Sequence, residues 1–302
     1  MNELTVRTPA KINLCLTVIG KRPDGYHDVE MVLQAVGLYD AVTVRIAGKG
    51  ITVTCNVPGV PGDAENIAGK AARAMLNRAG RDVGMAISIR KDIPVAAGRG
   101  GGSSDAAAVL VACNRLLGLD LDREQLAGIG AGLGMDVPFF LFAPTAQATG
   151  RGEIVTALPP PDPFWVLLAN PGFATSTAWV YQNLNFGLTK RVDCTNIASL
   201  PVAKIAEMLH NDLETVTAAA HPVIGEMERA LTEAGALGVR MSGSGPTVFG
   251  VFGDETSCRG AARALGPRGW RLIPAPVLTE PPYQEHFGAL PEAAASDTRR
   301  SP

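Results

Sequence analysis

The chain lacks an excess of either charge: Lys and Arg number 27 against 29 for Asp and Glu, a formal charge of −2. That balance gives no global positive field to draw in DNA, RNA or an anionic membrane, so neither a nucleic-acid nor a membrane partner is expected. Cysteine is sparse and unpatterned. Cys15, Cys55, Cys113, Cys194 and Cys258 are odd in number, widely spaced and without a CxxC, which argues against a disulfide framework or a zinc site and reads as reduced thiols filling apolar runs. The four histidines, at 27, 210, 221 and 286, lack metal-ligand spacing such as HExxH, which argues against a zinc hydrolase. No stretch approaches the roughly 18 uninterrupted apolar residues of a membrane span. The opening MNELTVRTPAK, carrying Glu3, Arg7 and Lys11, has no apolar segment of a secretory signal. A cytoplasmic protein is the expectation.

What is present is enough hydrophobic material, 46% of 302 residues, for a large core and about two domains. Alternation over 4–8, 12–19, 41–46 and 51–55, broken by KRPDG and AGKG, predicts strands joined by turns. Residues 65–79 place Ile67, Ala71, Met75 and Ala79 on one helical face, and MAISIRK (85–91) returns to a strand. Residues 104–117 are apolar nearly all round and predict a buried helix, with Ser103, Ser104 or Asp105 as its cap. A weaker helix over 123–134 carries glycines at 128, 130 and 132.

PPPDP (159–163) is the expected boundary, since proline stiffens a connection and cannot extend a helix interior or central strand. Domains are therefore expected over 1–158 and 164–287. Beyond the boundary, 164–170 reads as a buried strand, 201–209 and 221–234 as helices, 238–252 as strand, glycine turn, strand, and 255–266 as a helix. Strands and helices mix without strict alternation, which predicts two α+β halves rather than a doubly wound sheet. The tail from 288 to 302 has little to bury and is expected to be disordered. There is no internal repeat.

The informative stretch is PVAAGRGGGSSDAAAVL (94–110), where Gly98, Gly100, Gly101 and Gly102 lead into an alanine-rich run. Backbone N–H groups close on a phosphate only where no Cβ intrudes, and the unpaired amides and dipole at a helix start favour an anion. The stretch reads as a polyphosphate cradle or, more plainly, as a flexible turn before a buried helix. It is neither a P-loop, for no lysine follows the glycines, nor a GxGxxG fingerprint, for Ser103 stands at its last glycine. A second cluster, SGSGPTVFG (242–250), sets Gly243 and Gly245 around Ser244, as a close backbone approach or a plain hairpin turn would require.

Three segments in order, PAKINLCLTVIGKRPDGYH (9–27), IPVAAGRGGGSSDAAA (93–108) and MSGSGPTVFG (241–250), resemble the motifs of the GHMP kinase superfamily. GMDVPFF (134–140), TGRGE (149–153) and NDLE (211–214) extend the likeness from about residue 5 to 285. The resemblance implies a two-domain α+β fold, with an N-terminal half like ribosomal protein S5 domain 2 and a ferredoxin-like C-terminal half. The run PAKINLxL followed by RxDGYH is similar to the branch that phosphorylates a cytidyl-diphosphate methylerythritol at its 2-hydroxyl, in the non-mevalonate isoprenoid pathway. A homoserine or mevalonate-type kinase, or a catalytically silent nucleotide sensor, is the alternative.

The same resemblance implies roles. Asp136 would accept the hydroxyl proton and Lys11 would pair with it and face the transferring phosphoryl group, where spacing alone reads a turn residue and a surface charge. Pro94, Ala96, Gly98, Arg99, Gly100, Gly101, Gly102, Ser103 and Ser104 would hold ATP, although family members usually have an apolar residue where Arg99 stands. Asn13, with Gly243, Ser244 and Gly245, would contact the acceptor. Tyr26 would stack on its cytosine, His27 would bond the base edge, and Thr177 with Tyr181, four apart on one helical turn, would close the other side; Trp179 competes if the register slips. Met135 stands where a small residue is usual, beside Asp136. Mg²⁺ arriving with ATP is implied, with no protein carboxylate assigned to it. The expected assembly is a monomer or weak homodimer acting on a small-molecule substrate.

Overall fold

The computed structural model describes residues 1–287 except 59, 61, 63, 64, 96, 97, 190, 191 and 195, so Ala96 and the tail beyond 287 lie outside the described residues. Two long strands, β1 (Glu3–Lys21) and β2 (His27–Ile46), form an antiparallel hairpin from Glu3↔Arg45 to Lys21↔His27. The two strands expected over 4–19 are thus one. Register shifts at Pro9/Ala10 and Asn13/Cys15 let pairing run on past the proline. β3 (Ile51–Cys55), α1 (Ile67–Ala79) and β4 (Met85–Arg90) follow, with the expected boundaries within two residues.

α2 (Gly101–Leu117) starts earlier than expected. Gly100, in the left-handed region at φ 65°, is its N-cap and no side chain caps it, so Ser103, Ser104 and Asp105 are helical residues rather than caps. Gly118 ends it, also left-handed, donating to the carbonyls of Asn114 and Arg115. Then come α3 (Arg123–Ala131), α4 (Val137–Phe142) and the hairpin β5 (Thr145–Thr149) and β6 (Ile154–Ala157). The short α4, VPFFLF, escapes a periodicity search because both its faces are covered. The first sheet has the order β3-β4-β2-β1, with β5 also on β2.

After the proline run come β7 (Trp165–Asn170), α5 (Thr177–Gln182), α6 (Val202–Met208), β8 (His210–Asn211), α7 (Glu214–Ala220), α8 (Val223–Glu233), β9 (Gly238–Met241), β10 (Val248–Phe252), α9 (Glu255–Leu265) and β11 (Arg271–Pro276). Their four-stranded sheet runs β11-β7-β10-β9. With α8 and α9 as the connections, this is the ferredoxin-like order. Pro274 and Pro276 are tolerated because β11 is an edge strand.

Side-chain parity decides what packs where. Leu167 and Ala169 face Ile224, Met227 and Leu231 of α8, whereas Val166 and Leu168 face the first sheet through Ile12, Leu14 and Val36. The second sheet is therefore covered on both faces. Because Ala10, Ile12 and Leu14 point into that interface, Lys11 and Asn13 between them point to the opposite face.

The two halves interleave. Short β8 joins the first sheet, parallel to β1, and residues 277–287 return across the first half. There Leu278 N donates to the Ala35 carbonyl at 2.9 Å and the Tyr283 hydroxyl bonds Thr8. One cysteine expectation is corrected: Cys15 and Cys194, 179 residues apart, form a disulfide between β1 and the second half. No local spacing announces a pair so far apart. Cys113 and Cys258 are buried free thiols, and burial pushes the Cys113 thiol up to about 12.

Leu110 of α2 is fully buried in the first core. Leu110→Ala is expected to cost about 2–5 kcal/mol, read as a lower urea midpoint at unchanged slope; a loss below about 1 kcal/mol would mean that the site collapses around the missing atoms.

Candidate active site

A cleft of about 1060 Å³ lies where the hairpin, the start of α2 and the 242–247 turn converge. Lys11 forms part of its floor, where Nζ lies 3.4 Å from Asp136 Oδ2 and donates to Asn13 Oδ1 at 2.8 Å. Lys11 is buried, while Asp136 keeps about a quarter of its side chain in the cleft. Asp136 precedes α4 but makes no capping bond, so its carboxylate is available to the cleft. Met135 lines the wall beside it, and the ion pair forms regardless.

Gly98 and Gly100, at φ 73° and 65°, carry the chain across this floor. A Cβ at Gly98 would strike the Ser242 carbonyl, and one at Gly100 would meet the Phe140 ring at 3.0 Å. With no side-chain cap, the amides of Gly101, Gly102 and Ser103 at the start of a 17-residue helix are left for an anion, and all three residues line the cleft. Pro94, Gly98, Arg99 and Gly100 line it too. Ser104 does not. Its hydroxyl donates to the Pro9 carbonyl at 2.6 Å and bonds Thr8, because consecutive helical residues diverge by about 100° and its neighbour Ser103 takes the cleft side.

The SGSG turn closes against this loop. Ser242 Oγ donates to the Gly98 carbonyl at 3.0 Å, and Asn13 N donates to Ser242 Oγ at 3.3 Å. The NDLE segment holds the turn from behind: Asn211 Nδ2 donates to the carbonyls of Met241 and Gly243, and Glu214 takes the Met241 N–H and the Arg240 guanidinium. Gly243 and Ser244 line the cleft, with Ser244 and Thr177 sharing a 2.8 Å hydroxyl bond. Gly245 is not in the wall; it packs on Met241 at φ 76°.

Aromatic rings form the far end. The His27 imidazole stacks on Tyr181 at 4.9 Å and on Phe186 at 5.8 Å. Burial, then the nearby Lys21 charge, lowers the His27 pKa, so the ring is neutral at pH 7 and presents one donor and one acceptor. Tyr26 is half exposed, and the Arg151 guanidinium lies 5.2 Å from its ring centroid. Thr177 and Tyr181 share the cleft-facing side of α5, whereas Trp179 is exposed and outside the wall.

Several cleft residues were given no role by the sequence. Lys91 is one: its Nζ bonds Asp105 at 2.8 Å and also Asp40, all three buried beneath the glycine loop. Asn66 and Arg151 also line the cleft, the former as the N-cap of α1. ENIAG before a periodic helix was the available signal for Asn66; Lys91 had none, since its partners come from β2 and α2. Burial favours the neutral form of Lys91, yet Asp105 and Asp40 together hold its pKa above the usual value. Burial pushes Asp105 up to about 7, with Lys91 opposing and Asp40 adding to the shift.

Residues 66–143 match the family described as GHMP kinases N terminal domain, and 197–271 match GHMP kinases C terminal. The chain is 49% identical over 266 residues to a protein of Geobacter metallireducens named 4-diphosphocytidyl-2-C-methyl-D-erythritol kinase, covering 88% of this chain and 95% of that one. A protein of the same name from Pelobacter propionicus is 51% identical over 285 residues, 92% of this chain and all of the relative. A crystal structure described as 4-(cytidine 5'-diphospho)-2C-methyl-D-erythritol kinase superposes with a TM-score of 0.78 at 32% identity, covering 91% of this chain and 99% of the other.

Because folded Asp105 holds its proton more tightly than an unfolded carboxyl near about 3.9, folding takes up a proton between roughly pH 4 and 7 and stability falls as pH rises through that window. Asp105→Asn is expected to make the decline of Tm across that window shallower. Identical slopes in parent and variant would place the proton elsewhere.

Proposed function

The chain belongs to the GHMP kinase family, and we propose that it transfers the γ-phosphoryl group of ATP to the 2-hydroxyl of 4-diphosphocytidyl-2-C-methyl-D-erythritol. The relatives named above are phosphotransferases for that substrate by name. The observation that carries the reading is the Lys11–Asp136 pair, which stands between the uncapped start of α2 and the His27–Tyr181 stack in one cleft.

Phosphoryl transfer asks a protein mainly for alignment and charge stabilisation. Asp136 Oδ2 accepts the proton of the acceptor hydroxyl. Lys11 offsets the charge gathering on the phosphoryl oxygens, and Asn13 fixes the ammonium by accepting from it. The amides of Gly101, Gly102 and Ser103 hold the triphosphate, and the Ser103 hydroxyl adds a donor. The glycine cradle fits the group, since added Cβ atoms would jam the approach of the two turns.

Mg²⁺ bound to the triphosphate supplies charge neutralisation. Among the described residues no group of three or more His, Cys, Asp or Glu could hold a metal ion; the Ser103 hydroxyl, at the helix start, is the group that would meet a cation arriving with ATP. At the other end, Tyr26 on one side and Tyr181 with Thr177 on the other close on cytosine and neutral His27 reads its donor–acceptor edge, while Ser244 meets the rest of the acceptor. No helix among the described residues is long and apolar enough to cross a membrane. A cytoplasmic enzyme, monomeric or weakly dimeric, accompanies the reading.

ADP release measured with the cytidyl substrate, homoserine and mevalonate in parallel should show turnover with the first alone; ATP binding without turnover on any of them would mean a silent sensor. Asp136→Asn is expected to lose most turnover while keeping acceptor affinity, and parental turnover in that variant would refute the assignment. Tyr26→Ala should weaken the cytidyl substrate far more than ATP, whereas a parallel loss of both affinities would contradict the division of the cleft.

A further inference from the structure

Arg99 is fully buried, although it sits in the loop that lines the cleft. Its guanidinium neither reaches solvent nor meets a carboxylate among the described residues. Nε and NH2 both donate to Thr247 Oγ1, at 3.0 and 2.7 Å, and NH1 has no partner. Asn170 Nδ2 donates to the same oxygen at 3.0 Å, so three donors converge on a hydroxyl with two lone pairs. Burial, then the charge of Arg271, of the same sign, lowers the Arg99 pKa. An uncompensated buried cation lowers stability, and an apolar side chain of similar length would fill the space without that penalty.

The attachments of Arg99 explain what the cation does. Its carbonyl accepts the Lys11 N–H at 3.2 Å, which ties it to the strand carrying the ammonium of the site. Thr247 closes the SGSG turn, its carbonyl accepting the Ser242 N–H at 2.9 Å. Asn170 ends β7 and accepts the Gly172 N–H, at the start of the loop leading to Thr175, Thr177 and Tyr181. One side chain thus spans from the phosphate loop of the first half to the turn and loop of the second.

We propose that Arg99 is a positioning residue, a strut whose Thr247 bonds keep the two glycine turns in the register that catalysis needs. The proposal rests on the kinase reading above. The fork matters more than the charge, because a planar guanidinium can place two N–H groups on one oxygen and so resists rotation as well as displacement.

Arg99→Met and Arg99→Lys, assayed as the full chain for ATP kcat/KM and for Tm, test it. Arg99→Met should keep or raise the parental Tm while lowering kcat/KM by about 10- to 100-fold, the scale of an ångström-sized misplacement. Arg99→Lys, with one bond in place of two, should fall between parent and Met variant. In a cycle with Thr247→Val, the two losses should overlap rather than multiply. Turnover within twofold of the parent in Arg99→Met, a Tm that falls together with turnover, or losses that multiply would each overturn the strut. Asp136→Asn in the same assay separates the two ideas: if it stays active, the kinase site itself is misassigned, and if it is silent while Arg99→Met is normal, only the strut fails.

Discussion

The structure depends on one close approach of backbone to backbone. The loop through Gly98 and the turn through Ser242 and Gly243 meet backbone to backbone beside the bond from the Ser242 hydroxyl to the Gly98 carbonyl, and a Cβ on Gly98 would drive into the Ser242 carbonyl. Glycine is required there for both space and conformation, since Gly98 and Gly243 both have positive φ. This contact joins the two halves at the cleft, and the cleft owes its shape to it. The NDLE segment from behind and the Arg99 side chain from within secure the same seam.

Charge is distributed in two tiers around that seam. At the surface of the cleft, Lys11 and Asp136 lie 3.4 Å apart, close enough to influence one another and loose enough to admit a reacting group between them and the helix start. Below the glycine loop, Lys91 sits between Asp40 and Asp105, buried and directly hydrogen-bonded. A desolvated cluster of two acidic groups and one ammonium is rigid because breaking a bond leaves a buried polar or charged group unpaired. It supports the first turn of α2 from beneath, since Asp105 belongs to that helix. The amides that face the cleft are thereby held by a framework that lies beneath them.

Much of this was legible along the chain. Periodicity over 65–79 and 104–117 and alternation over 41–55 depend on local burial, and glycine runs announce backbone that must turn left or come close. The order of three glycine-bearing segments was enough to name a family and to single out Lys11, Asp136, His27 and Tyr181, all of which line one cleft. Short elements such as VPFFLF and the proline-bearing β11 stayed hidden, because burial on all sides or an edge position erases the pattern that a periodicity reading needs.

By itself the sequence determined which residue types were available for chemistry and where the backbone could be bare, since both are properties of single positions. Only the tertiary structure decided direction. It turned Ser104 from the cleft while leaving Ser103 in it, buried the Arg99 guanidinium on Thr247 148 residues away, and joined Cys15 to Cys194. It also gave Lys91 two acidic partners from β2 and α2. Such facts depend on the angle at which one element meets another, and that angle is set by packing across the whole core rather than by neighbours in the chain.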